Sequence, residues 1–155
     1  MSSIKLIKAL SSDTALLHDI QVSSFMPLYE KYHDDDTSPA KESADAIAWK
    51  INNSDFYIVY EGDEAVGGVR VVADSDNICR ISPIFLLPRC QNKGMGSKVM
   101  ELVFSLYPNA EKWQLATISE EELNCHFYEK LGFVRTGSRT VINEHMTIIG
   151  FEKTI

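Results

Sequence analysis

Ten residues, Pro88-Arg89-Cys90-Gln91-Asn92-Lys93-Gly94-Met95-Gly96-Ser97, restrict this chain more than any other segment. They follow an apolar, β-branched run, Ile78 to Leu87, and lead into Met95, Val99, Leu102, Val103 and Leu106, which share one helical face. The segment therefore reads as a turn from a strand directly into a helix N-terminus. Two glycines spaced by one residue let the backbone approach a ligand closely. The first amides of the helix have no intrahelical acceptor, and with the helix dipole they suit an anion of the pyrophosphate kind. Arg89, Lys93 and Lys98 stand ready to add charge at its rim. The dinucleotide fingerprint G-x-G-x-x-G fails, because Val99 occupies the third glycine position. The Walker pattern fails too, since no glycine stands five residues before Gly96 and Lys98 comes two residues after it. On this segment alone, a tight structural turn and an anion site both remain open.

The rest of the chain supplies the context for that turn. Its 155 residues predict one domain spanning 1–155, with no repeat, linker or low-complexity tract. Ile4 to Lys8 reads as a short strand, followed by an N-cap at Ser12 or Asp13 and a helix that Pro27 kinks or ends. Tyr29 to Asp36 reads as an exposed loop. A helix is predicted to start at Ser38-Pro39, with Ala40, Ala44, Ile47, Ala48 and Ile51 on one stripe. Phe56 to Tyr60 and Ala65 to Val72 form a hairpin around Glu61-Gly62-Asp63-Glu64. Pro83 predicts a local break in the next strand between Pro83 and Leu86. After the turn come a strand at Trp113 to Ile118, a helix at Ser119 to Leu131 and an antiparallel pair, Phe133 to Thr140 with His145 to Glu152. Ser119 and Glu122 have the spacing of a capping box for that helix. The order βααβββαβαββ is that of a mixed-sheet α/β domain.

Charge narrows the function classes. Lys and Arg number 15 against 22 Asp and Glu, a net charge of −7. That balance argues against nucleic acid or an anionic membrane surface as partner, since both need a positive footprint. No apolar run reaches the length of a membrane span, and Met1 to Leu10 is too polar for a secretory leader. Cys79, Cys90 and Cys125 form no C-x-x-C pair and no metal-ligand cluster, so a reduced cytoplasm is the expected setting, without a metal. An anionic ligand would have to be captured locally, against the overall field.

The stretch Gln91-x-x-Gly94-x-Gly96 resembles the acyl-CoA signature, Q/R-x-x-G-x-G/A, of the GNAT acyltransferase superfamily. Phe127-Tyr128-Glu129-Lys130-Leu131-Gly132-Phe133 resembles that family's second block, again where a helix meets a strand. The resemblance implies an α/β, single-domain GNAT-like fold, a mixed, mostly antiparallel sheet with splayed central strands flanked by helices. It implies that backbone amides of Gln91, Asn92, Lys93, Gly94, Met95, Gly96 and Ser97 hold the pyrophosphate of acetyl-CoA as co-substrate. Phe85, Leu86 and Leu87 would pair their backbone with the pantetheine arm and polarise the thioester carbonyl. Tyr128 matches the tyrosine that protonates the departing thiolate, a sensible role for a phenol that is protonated at neutral pH. Two departures stand out. The family often has glycine where Asn92 stands, and many members carry asparagine seven residues before the tyrosine, where this chain has Glu121. Asn124, one helical turn before Tyr128, is the substitute candidate for the pantetheine amides.

The activity implied is N-acetyl transfer to a small-molecule primary amine that attacks the thioester directly, without a nucleophile dyad. Glu30, His33, Asp34, Asp35 and Asp36, beside Tyr29 and Tyr32, are candidates to attract a cationic amine and relay its proton, or simply a solvated loop. Cys125 reads as a small core residue rather than a nucleophile. His18, His126 and His145 receive no role. A non-catalytic acyl-CoA-binding or sensing module is the alternative, and a nucleotide-phosphate enzyme a third reading. The resemblance leaves a homodimer open.

Overall fold

Runs of period two become seven strands and runs of period 3.6 become four helices. The computed structural model describes residues 3–155; Met1 and Ser2, the start of the polar Met1–Leu10 segment, lie outside the described residues. The strands are β1 Ile4–Lys8, β2 Asp55–Glu61, β3 Glu64–Ala73, β4 Ile78–Leu86, β5 Lys112–Ile118, β6 Val134–Asn143 and β7 Met146–Thr154. The helices are α1 Thr14–Tyr32, α2 Ala44–Asn53, α3 Met95–Leu106 and α4 Glu122–Lys130. Elements alternate in the predicted order, and the strands are ordered β1-β2-β3-β4-β5-β7-β6 in a mixed sheet. The pairs β1–β2, β2–β3, β5–β7 and β6–β7 are antiparallel, whereas β4–β5 is parallel. Among the described residues, no helix is long and apolar enough to cross a membrane.

The chain divides into two compact units. One comprises the chain up to Val71 together with Pro83–Pro108. Its core joins Leu17 and Ile20 of α1, Ile47 and Ile51 of α2, Phe56 and Ile58 of β2, and Phe85 at the end of β4. These apolar positions recur at helical spacing on the helices and alternate on β2, so each element contributes one face. The other unit comprises Val72–Ser82 and Asn109–Ile155. In it Trp113, Phe133 and Phe151 are almost fully buried.

Four local expectations are corrected. The first helix runs through Pro27 to Tyr32, so Tyr29 to Tyr32 are helical rather than loop. Proline inside a helix costs about 3 kcal/mol. Burial of Tyr32 and the packing of Phe25 on Phe85, ring centroids 5.6 Å apart, counter that cost. Second, Ser38-Pro39 opens only a single 3-10 turn, Pro39–Lys41, although the Ser38 hydroxyl caps it by accepting from the Ala40 amide. The backbone then turns extended at Glu42, and α2 starts afresh with Ser43 as N-cap. Third, Glu122 is the first residue of α4 and Glu121 its cap, so no capping box forms between Ser119 and Glu122. Glu120 takes Ser119 instead, accepting from its hydroxyl at 2.9 Å and from the Thr147 amide at 2.9 Å. Fourth, β4 is not broken at Pro83 but stays extended to Leu86. A proline φ is compatible with extended backbone, and the parallel pairing with β5 covers only Ile78 to Arg80, ending before the proline.

Candidate active site

The predicted cofactor residues from Phe85 to Ser97 fall in the first unit, and Asn124 and the predicted acid, Tyr128, in the second. At the end of β4, the Leu87 N–H donates to the Val66 carbonyl at 2.8 Å. That amide is therefore engaged and cannot polarise a bound carbonyl, which narrows the predicted trio. Backbone groups of successive strand residues point to opposite edges. The Leu86 N–H and C=O consequently face the edge away from β3. Phe85 is buried and anchors the strand end in the core.

A 3-10 turn, Pro88–Cys90, carries the chain from β4 into the anion turn. Asn92 has φ 60° and Gly94 has φ 80°, both left-handed. Asparagine is among the few side chains that tolerate this region, so Asn92 meets the backbone demand for which the resemblance leads one to expect glycine. The alternation turns successive amides outward. The first bond of α3 runs from the Lys98 amide to the Gly94 carbonyl. Among the described residues, the backbone amides of Asn92, Lys93, Gly94, Met95, Gly96 and Ser97 therefore have no acceptor. The Gln91 amide differs, since it donates to Pro88 C=O at 3.2 Å. A helix N-terminus with six open amides fits a pyrophosphate. Gly94 has empty space on its Cβ side, so its role there is conformational.

Of the three cations expected at the rim, two are paired. Arg89 bonds to Glu64, the first residue of β3, and Lys98 lies 3.8 Å from Glu101. Lys93 has no ion partner among the described residues. Glu64 was not foreseen, and no sequence signal marks it, because 25 residues separate it from Arg89.

Tyr128 sits on the last turns of α4, and the sequence after it explains how it is held. Gly132 has φ 97°, its amide donates to Glu129 C=O at 3.0 Å, and the Phe133 amide donates to Tyr128 C=O at 3.0 Å. This is a Schellman stop, in which a left-handed glycine ends the helix and an apolar pair seals it. Here the sealing pair is Tyr128 with Phe133, ring centroids 5.9 Å apart. Phe127 and Phe151 also contact the Tyr128 ring, at 5.1 and 6.1 Å. The Leu131-Gly132-Phe133 signature is thus the device that fixes the phenol. Burial pushes the Tyr128 pKa up to about 12. Its hydroxyl makes no hydrogen bond among the described residues, yet it is not a sealed orphan; among the described side chains only Gln21 Oε1 is fully buried without a partner. Asn124 lies exposed on the same helix.

Cys125 is buried, its thiol directed at the carbonyls of Ile118 and Ser119, and burial raises its pKa. All three cysteines are buried thiols outside any disulfide. No metal-ligand group occurs among the described residues. In the acidic segment, Asp34 is buried and accepts from the Thr37 hydroxyl at 2.8 Å, while its carbonyl accepts from the Thr37 and Ser38 amides. Asp35 accepts from the Tyr29 hydroxyl. Lys41 Nζ lies 4.8 Å from the centroid of the same Tyr29 ring. Asp34 and Asp35 are thus engaged in local structure, and Glu30 and Asp36 remain exposed.

The acetyltransferase (GNAT) family model matches residues 16–133, well over half of the chain. The chain belongs to the GNAT family of acetyltransferases, a family that uses acetyl-CoA. Among solved structures, the PaiA N-acetyltransferase of Thermoplasma acidophilum in complex with coenzyme A matches with TM-score 0.80 at 16% identity, covering 99% of each chain. A GNAT acetyltransferase of Streptococcus pneumoniae matches with TM-score 0.74 at 19% identity, covering 99% of each chain. A spermidine N-acetyltransferase SpeG chimera from Vibrio cholerae and hSSAT matches with TM-score 0.75 at 18% identity, covering 97% of this chain and 95% of that one. At such identities the likeness is one of fold. A search of curated protein sequences finds no match.

Proposed function

We propose that this protein transfers the acetyl group of acetyl-CoA to the primary amine of a small cationic molecule. The observation that carries the reading is the run of open amides from Asn92 to Ser97 at the head of α3, in a chain of the GNAT family. Those amides would take the pyrophosphate, and Lys93 adds a cation beside them. The outer edge of β4 at Leu86 would take the pantetheine arm, with the Leu86 N–H donating to the thioester carbonyl. Tyr128 would hand its phenolic proton to the sulfur as the carbon–sulfur bond breaks and the amine bonds to the acetyl carbon; the amine nitrogen gives up its proton to solvent, from which the phenolate is reprotonated. A pKa raised to about 12 keeps that proton in place at neutral pH. Positioning and fixed backbone dipoles would supply most of the acceleration.

The net charge of −7 and the exposed carboxylates Glu30 and Asp36 favour a cationic acceptor. A match to a spermidine N-acetyltransferase chimera is in keeping with that class. Three buried cysteines outside any disulfide are in keeping with a reducing, cytoplasmic setting. The test is acetyl-CoA-dependent thiol release across a panel of polyamines, aminoglycosides, amino acids and peptides. Release with one cationic class supports the reading. Tight CoA binding without release for any acceptor supports the sensing module instead, and protection from thermal unfolding by ATP but not CoA defeats both.

A further inference from the structure

The peptide unit that joins Leu86 to Leu87 is held from both ends. Its N–H donates to Val66 C=O at 2.8 Å, and its C=O accepts from the Gln91 side-chain amide, Nε2, at 2.9 Å. Gln91 is exposed, so surrounding packing does not press its carboxamide into that place. The bond ties the first residue of the anion turn back to the strand end that precedes it. Leu86 N–H and C=O point to the same outer edge of β4, and a ligand amide laid along that edge needs both in strand geometry. A carbonyl oxygen has two lone pairs, so one can be held by Gln91 while the other stays open.

We propose that Gln91 is a positioning residue that acts through its side chain: it fixes the Leu86 carbonyl, and with it the edge that receives the pantetheine arm. This rests on the reading above that the β4 edge takes that arm. The backbone amide of Gln91 has a different task, because it closes the turn onto Pro88 C=O.

The test uses two probes on the intact chain, coenzyme A and adenosine 3′,5′-bisphosphate, which carries phosphates but no pantetheine. Gln91→Met keeps length and charge and removes the donor; Gln91→Ala removes the side chain. One lost hydrogen bond of about 1 kcal/mol corresponds to about fivefold weaker binding. In calorimetric titrations both variants are expected to bind coenzyme A about fivefold more weakly. The bisphosphate should bind both within about twofold of wild type, since it has no pantetheine arm to lie along the β4 edge. Unchanged or tighter coenzyme A binding in both variants overturns the inference, because the carboxamide would then be idle or merely fill the ligand's place. Parallel loss of both probes also overturns it, since the defect would lie in the anion turn. A wild-type protein that binds neither probe defeats the cofactor reading itself, and the inference falls with it.

Discussion

Tyr128 shows how a single residue acquires a role from its surroundings. Its ring is enclosed by Phe127, Phe133 and Phe151, while its hydroxyl has no protein partner among the described residues. A phenol of raised pKa is a proton donor rather than a base, which matches the step proposed for it. Tyr128→Phe removes one oxygen and preserves the Schellman seal. We expect turnover to fall by about tenfold or more with coenzyme A affinity unchanged, measured by steady-state thiol release beside calorimetry. Unaltered turnover would remove Tyr128 from the mechanism. Asn92 makes a separate case, since its left-handed backbone is strained for most side chains. Asn92→Val is expected to cost about 1–2 kcal/mol in urea denaturation, whereas Asn92→Gly is neutral or slightly stabilising. Sequence placed Asn92 as a departure from the related pattern. Only the backbone angle shows that asparagine still meets the same demand.

Elements are locked to one another by polar groups as well as by apolar faces. At the C-terminal end of α3, the Tyr107 hydroxyl donates to Asp55 on β2 at 2.7 Å and meets the Tyr57 hydroxyl at 2.9 Å. Lys8 of β1 reaches the other Asp55 oxygen at 2.9 Å. Burial alone would raise the Asp55 pKa, but the bonds from Tyr107 and Lys8 outweigh it and hold the carboxyl below its ordinary value. A depressed carboxylate contributes stability above its unfolded pKa, near 4, and that contribution is lost as pH falls through the lower folded value. Tyr107→Phe is therefore expected to cost about 1 kcal/mol at neutral pH. The gap to wild type should narrow below about pH 4 in denaturation curves, as Asp55 becomes protonated. A gap that is constant with pH would assign the loss to the neutral bond with Tyr57 rather than to Asp55. Nothing in the sequence pointed to this latch, because its members are spread from Lys8 to Tyr107.

For the whole molecule, the net charge of −7 poses opposite problems for the two substrates. An anionic cofactor must be held by short-range amides, whose reach does not depend on the general field. A cationic acceptor of the proposed class would be drawn by that field, which salt screens over a shrinking distance. The KM for a polyamine acceptor is thus expected to rise about threefold or more between about 20 and about 200 mM salt, while that of a monocationic amine moves less. Equal salt dependence for the two would show that the field plays no part in acceptor capture.

Much of this protein is legible in its residues. Periodicity sets the order of strands and helices, because burial of one face is a local property of spacing. The glycine-bearing turn and the Tyr-x-x-x-Gly-Phe block are legible for the same reason, since dihedral demands act on neighbours. The misread elements are those where long-range contacts overrule local preference. The first helix passes through Pro27 because Tyr32 is buried and Phe25 packs on Phe85. The capping serine yields to Glu120, whose carboxylate is claimed by Thr147 from β7. Tertiary structure alone decided which amides stay open. Val66 takes the Leu87 amide, Gln91 takes the Leu86 carbonyl and Glu64 takes Arg89, so Lys93 and the amides from Asn92 to Ser97 are left without a partner among the described residues. A hydrogen bond between distant segments depends on where the folded chain brings them, and spacing along the sequence carries no record of that.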